Sequence, residues 1–404
     1  MDTQRLILAA IFVFSLVLLW DAWEKENRPK PPAAPAVPAA PARPAPAKPD
    51  ASAASGRGTA AGSAVPGGPE QLKGEIVQIT TDVLSVEIDT VGATLRRLEL
   101  LKHKDGNDAN RNFALLDPER AYAAQSGLTG EAGPNHRTLW KLDSGERALA
   151  SGKDALEVRF SAQGRDGLSV AKIYSFRRDS YLVEVAFEIR NSGAVPVSPF
   201  AYFQLTHDGK AAEGGNTLAQ SFGAQSFLGF AEFTNEKKFE KIHFSDLDKG
   251  KAEHAKHASD GWLAFVQHYF VSAWIAPDNT PRDYVAEKRA DGVYVGRIVL
   301  PLPVLTPGAS ARIGAALYAG PQEQRRLKAA APGLDLAVDY GWLAIIAWPL
   351  FWLLEKCYSL SGNWGVAIIL LTVVVKLLFF PLSAASYKSM AKMKLITPRL
   401  TKIR

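Results

Sequence analysis

WGVAIILLTVVVKLLFFPL, from Trp364 to Leu382, is apolar over nineteen residues. As α-helix that is about 28 Å, close to the thickness of a bilayer's hydrocarbon core. The run holds one charge, Lys376, with Thr372 one turn before it. A lysine near the centre of such a span costs roughly 2.5–3.5 kcal/mol on insertion scales, so it usually faces a cavity, a partner or a passing substrate. A plainer reading stands beside this one. Lys376 is seven residues before Ser383, and its stem can snorkel part of that distance to the interface. Thr372 alone says little, because threonine can bond to the carbonyl of its own preceding turn.

Downstream, residues 384–404 carry Lys388, Lys392, Lys394, Arg399, Lys402 and Arg404 with no acid, and these six match the whole net charge of +6. The basicity is therefore local. It fits the cytoplasmic flank of a span and allows contact with ribosomal RNA; no DNA partner is expected. Tyr387, Met390, Met393 and Lys394 stand at helical spacings, which predicts an amphipathic basic helix along or below the inner membrane surface.

Upstream, LDLAVDYGWLAIIAWPLFWLLEKCYSL at 334–360 is also apolar, interrupted by Pro349. Only Ser361, Gly362 and Asn363 separate it from the span at 363–383. If both segments crossed, the basic tail would emerge beside the large domain, against the positive-inside rule. The expectation is an amphipathic helix lying on the outer interface, kinked at Pro349 and anchored by Trp342 and Trp352.

At the other end, residues 1–5 precede an apolar run at 6–23 that closes on Trp20 and Trp23. Aromatic residues at the rim, where a cleaved signal would have small ones, predict an uncleaved signal anchor with residues 1–5 cytoplasmic; cleavage within the alanine-rich stretch beyond it is the alternative. Residues 24–71 are a Pro/Ala-rich disordered linker, with eleven prolines between 29 and 69; nothing there is periodic enough to bury.

Residues 72–330 change to a period of two. Leu84, Val86 and Ile88 alternate with polar residues, as do Leu156, Val158 and Phe160, then Val183, Val185, Phe187 and Ile189, then Ile313, Ala315 and Leu317. Turn clusters lie between, at 105–107, 191–193 and 291–292. This predicts a large antiparallel β-sandwich with one solvated face. Asn235 to His257, polar and lysine-rich, is expected to be a surface loop or short helix. One cysteine, Cys357, leaves the domain without a disulfide framework.

No GxSxG elbow, Walker loop or GxGxxG occurs. His243, His254, His257 and His268 sit among lysines without cysteine or HExxH, so they read as a solvated face and not as a zinc site. Neither enzyme chemistry nor a cofactor is expected.

Anchor, tether, β-domain, interfacial helix, span with a buried cation and basic helix together resemble the YidC/Oxa/Alb family of membrane protein insertases, in its Gram-negative form. The resemblance covers nearly the whole chain. It is carried by AQSGLTG at 124–130, GWLAFVQHYFVSAWI at 261–275, LDLAVDYGWL at 334–343, NWGVAIILLTVVVKLLFFPL at 363–382 and SYKSMAKMKLITPRL at 386–400.

The resemblance implies a periplasmic all-β supersandwich, similar to galactose mutarotase, between two transmembrane helices, in a multi-pass protein of the bacterial inner membrane. It implies a hydrophilic groove holding a positive residue, at the place of Lys376, with Thr372 lining it and Ile369 and Val373 as an apolar slide. The family residue is most often arginine, and lysine lacks its bidentate fork. Implied partners are nascent integral membrane proteins, the lipid bilayer, the Sec translocon and the ribosome. The family continues with a cytoplasmic helical hairpin and further spans, and 384–404 would be the start of that hairpin; the resemblance thus implies a fragment, or a protein that does not insert alone. The competing reading is a membrane-tethered periplasmic binding or carbohydrate-active protein whose spans only anchor it.

Overall fold

The structure is a computed structural model and describes residues 73–401, apart from 107, 131–132, 144, 211–226 and 339–343. The expected anchor and tether lie outside the described residues, as do Trp342, Lys402 and Arg404.

Alternating sequence becomes strand throughout the large domain. In chain order the strands are β1 (Ile76–Thr80), β2 (Leu84–Asp89), β3 (Thr94–Lys104), β4 (Asn112–Leu116), β5 (Ala123–Thr129) and β6 (Lys141–Leu142). They continue with β7 (Ala155–Gln163), β8 (Leu168–Arg177), β9 (Leu182–Asn191), β10 (Phe200–His207), β11 (Gly229–Thr234) and β12 (Lys238–Ile242). The rest are β13 (His257–Ala258), β14 (Trp262–Gln267), β15 (Phe270–Ile275), β16 (Arg282–Lys288), β17 (Tyr294–Pro301) and β18 (Ser310–Pro321).

Among the described residues they form two nine-stranded sheets. One runs β1-β2-β3-β5-β10-β17-β16-β13 with β4 beside β3; the other runs β12-β11-β14-β15-β18-β9-β8-β7-β6. Long antiparallel registers hold each together, such as β8 on β9 and β10 on β17. The expected two-layer β-sandwich is what the chain builds.

Burial follows the alternation where a strand has one wet face. Leu84, Val86 and Ile88 on β2 and Leu156, Val158 and Phe160 on β7 point into the core. Central strands differ. Every residue of β11 is buried, and so is all of β10 after Phe200, because both faces are covered. Trp140, Trp262, Trp274, Phe187 and Phe203 are among the large buried side chains of the core, whose apolar burial holds a domain without disulfides.

One inward position on β8 is not apolar. In the series Leu168, Val170, Lys172, Tyr174, Phe176, the lysine is fully buried. Its Nζ donates to the carbonyls of Gly92 (3.0 Å), Ala93 (2.8 Å) and Ser126 (3.2 Å). The rings of Trp140, Tyr174 and Phe187 surround it at 5.4 to 5.9 Å.

Segment 235–257 is more ordered than expected. It contributes β12, paired to β11, and a short helix α1 (Phe244–Asp248). The solvated-face expectation holds for His243, His257 and His268, which are exposed, and fails for His254, which is buried with Nδ1 2.7 Å from the Ala255 carbonyl. The lysine-rich composition hid the alternate residues that dock here, Phe239 against Trp262 among them.

Beyond β18 come α2 (Gln324–Ala330), a 3-10 turn at Leu334–Ala337, α3 (Ala344–Ser361) and α4 (Trp364–Thr401). Two expectations change here. Residues 334–337 belong to the β-domain, with Leu334 and Ala337 buried, and helix begins only at Ala344. Moreover, α3 exposes Ile345, Ile346, Trp348, Leu350 and Trp352 around its circumference, so it is apolar more than amphipathic. The span and the basic segment are also not two helices. α4 runs unbroken through Pro381 for 38 residues, about 57 Å. An interior proline removes one backbone hydrogen bond, and the surrounding leucines and alanines hold the helix together across it.

Candidate functional site

The site grows out of the hinge between α3 and α4. Gly362 ends α3 in the left-handed region (φ 64°), which glycine adopts without strain, and its N–H donates to the Tyr358 carbonyl at 2.8 Å. Asn363 caps α4: its Oδ1 accepts the N–H groups of Gly365 (2.8 Å) and Val366 (3.3 Å). The Tyr358 and Trp364 rings stack across the bend with centroids 4.0 Å apart. α3 therefore folds back against α4.

That packing gives α4 two sides. Between Trp364 and Ala391 only Ala367 is buried, and only Leu371 and Val375 are half-buried. Spaced by four, they make one stripe, the side that meets α3. Ile369, Thr372, Val373 and Lys376 follow i, i+3, i+4, i+7 and make another stripe, exposed and turned away from α3. The structure thus brings all four sequence-derived residues onto one face.

Within it, the Thr372 hydroxyl donates to the Ile368 carbonyl at 2.8 Å. Its donor is spent on its own helix, and its oxygen remains an acceptor. Lys376 is exposed and is the sole charge between residues 364 and 387. Around it Ile368, Leu377, Leu378, Phe379, Phe380 and Leu382 are exposed as well. An apolar surface of this extent belongs to a membrane or partner environment. Trp364–Ala391 is the one helix among the described residues long and apolar enough to cross a bilayer.

The other expected residues scatter. Pro349 lies inside α3. Trp352 is exposed, with the Lys356 ammonium 5.8 Å from its ring. Glu355 reaches Arg325 of α2 at 3.3 Å, tying α3 to the end of the β-domain. Lys388, Lys392, Lys394 and Arg399 lie on the last turns of α4.

Two comparisons then decide the family. A family model described as the YidC periplasmic domain matches residues 76–353, and one described as the 60Kd inner membrane protein matches residues 356–404. The chain belongs to the YidC family. Its relatives include the membrane protein insertase YidC of Nitrosospira multiformis, 45% identical over all of this chain and 73% of that protein. That of Aromatoleum aromaticum is 46% identical over the same shares. Against this YidC-family background the tethered carbohydrate-active reading is not favoured. Among solved structures, the galactose mutarotase related enzyme from Lactobacillus acidophilus aligns at 10% identity and a TM-score of 0.40, over 61% of this chain and 97% of that one. That is too distant to speak about chemistry.

The period-2 reading passed over Lys172 and His136, both buried in the β-domain. Lys172 had a signal: it occupies an inward place in an otherwise apolar alternation. His136, in a loop, had none.

Proposed function

We propose that this chain supplies the inner-membrane insertase activity of its family, inserting nascent membrane proteins along the Ile369–Thr372–Val373–Lys376 face of α4. The observation that carries the reading is the coincidence of the sole charge between residues 364 and 387, a hydroxyl and two apolar side chains on the stripe that α3 leaves uncovered. A hydrophobic segment slides on Ile369 and Val373, while its acidic flank is drawn toward Lys376. Unit charges 4 Å apart at an effective dielectric of about 20 attract by roughly 4 kcal/mol. That offsets the cost of carrying one charge to mid-membrane, roughly 2.5–3.5 kcal/mol. Partition of the substrate into lipid drives the process without a covalent step.

In this reading α4 crosses once toward the cytoplasm and α3 lies at the outer interface. The basic last turns of α4 meet anionic lipid or ribosomal RNA, and further walls complete a groove around Lys376. The Sec translocon is the expected partner for larger substrates.

The test is site-specific photo-crosslinking in the membrane-embedded protein during synthesis of a single-span substrate. Position 372 should crosslink to the substrate and position 367, on the α3 side, should not. Equal yields at both, or silence at 372 with normal insertion, would reject the face assignment.

A further inference from the structure

On the outer side of the β1-to-β13 sheet a cavity of about 350 Å³ opens over β3, β5 and β10 and the β16–β17 turn. Arg96 and Arg289 line it, with Gln125, His136, Thr94 and Asp89. We propose that this cleft binds a small organic anion, a carboxylate or phosphate ester about the size of a monosaccharide, through the guanidinium groups of Arg96 and Arg289. The proposal is independent of the insertion reading.

Charge is the first argument. Two guanidiniums and one carboxylate line the cleft, and although each guanidinium has an acid beside it, neither is saturated by it. Asp89 Oδ1 accepts the Val91 N–H at 2.8 Å, and Oδ2 touches Arg96 only loosely, at 3.8 Å. Arg289 uses one nitrogen on Asp291 at 2.8 Å. Each guanidinium has five donors, so both keep free ones for the planar, bidentate recognition that carboxylates and phosphates suit.

The second argument is the imidazole. The Tyr202 hydroxyl accepts the His136 backbone N–H at 3.0 Å and stands 2.6 Å from Nδ1. With its own proton given to Nδ1, the ring's hydrogen is on Nε2, a neutral donor. Burial, with Arg137, Arg289 and Arg297 nearby, lowers the ring's pKa to about 3, so it stays an uncharged donor at neutral pH.

Third, the wall is built with effort. Gly92 (φ 77°) and Ala93 (φ 43°) take left-handed backbone in succession beside Thr94, and Ala121 (φ 49°) does so in the wall itself. Alanine adopts this region rarely, and such outliers gather at binding sites. A Cβ on Gly92 would collide with the His136 backbone. From the core side Lys172 grips the carbonyls of Gly92 and Ala93, so the buried lysine acts as a positioning residue for the cleft. Thr94 in the wall is only 7% exposed, and its hydroxyl has no hydrogen-bond partner among the described residues. The volume sits at the lower end of ligand pockets, about 300–1,000 Å³, which sets the size of the ligand.

The experiment is calorimetric titration of the full chain in detergent with galacturonate, with inorganic phosphate, and with neutral galactose. At least one anion should bind with a dissociation constant of about 1 mM or tighter, and galactose at least about tenfold more weakly. Preference between the two anions distinguishes a carboxylate from a phosphate ligand. Arg96→Gln and Arg289→Gln, at partly exposed positions, should each weaken anion binding about tenfold or more with an unchanged melting temperature. The proposal fails if neither anion binds up to about 20 mM, if galactose binds as well as galacturonate, or if the folded double variant binds like the parent.

Discussion

The amino group of Lys172, on β8, donates across the sandwich to the carbonyl of Ala93, at the entrance to β3 in the facing sheet, over 2.8 Å. One side chain thus fastens the two layers at a point where the backbone of Gly92 and Ala93 is left-handed. Replacing it with methionine keeps the volume and removes the donor for three carbonyls. The Ala93 carbonyl keeps the Tyr174 hydroxyl as a donor, and each buried carbonyl that is left unpaired costs roughly 1–3 kcal/mol, partly relieved by rearrangement. Lys172→Met should therefore lower unfolding stability by about 2–4 kcal/mol in urea titration of the full chain. A change within experimental error would show that the contact contributes nothing net.

The same residue gives a pH signature. Burial pushes the Lys172 amine well below its usual range. As pH rises toward the unfolded value of about 10.4, the unfolded chain still holds its proton where the folded chain has begun to release it. The unfolded state then binds more protons, so this residue's contribution to stability rises with pH in that window. Comparing the parent with Lys172→Met at pH 7 and pH 9.5 should show the gap widening at the higher pH.

Glu232 works in the opposite sense. It is fully buried on β11, its Oε1 accepts the Ala255 N–H, and its Oε2 has no partner. Burial, with Glu240 on the paired strand, raises its pKa to about 7 while the Ala255 N–H restrains the rise. The folded state therefore holds a proton that the unfolded state releases above about 4.3, and stability falls as pH climbs from there through 7. Glu232→Gln should remove that loss: relative to the parent it should gain stability between pH 5 and pH 8, read from denaturation midpoints.

Lys376→Ala should impair insertion of substrates with acidic tails most, by about twofold to tenfold in yield or rate if the roughly 0.5–1.5 kcal/mol net attraction is lost. Lys376→Arg, which preserves the charge, should retain insertion. Normal insertion of an acidic-tailed substrate by the alanine variant would overturn the role given to the cation.

Asn363→Ala removes the side-chain acceptor for two N–H groups at the start of α4. The expected loss is about 1 kcal/mol, visible as faster amide exchange at Gly365 and Val366.

Much of this was legible in the sequence, for reasons that differ by region. Strands β2, β7 and β9 were plain because one side of each meets water. β10 and β11 were not, because a strand covered on both faces reads as an unbroken apolar run. His254 and β12 were hidden inside a lysine-rich stretch whose charges point outward while its aromatic residues point in. The stripe of Ile369, Thr372, Val373 and Lys376 followed from spacing alone, whereas which side of α4 it occupied depended on where α3 packs. The cleft was invisible, since Arg96, His136 and Arg289 come from three distant loops and strands.

The unbroken passage of α4 through Pro381 has a mechanical consequence. A rod of about 57 Å outreaches a hydrocarbon core of about 30 Å by nearly half its length. With no flexible joint between Lys376 and the basic last turns, a push on the protruding end is not absorbed locally but swings the whole shaft about the Tyr358–Trp364 clasp. On the crossing proposed above, whatever docks on Lys388 to Arg399 would thereby gain leverage over the orientation of Lys376.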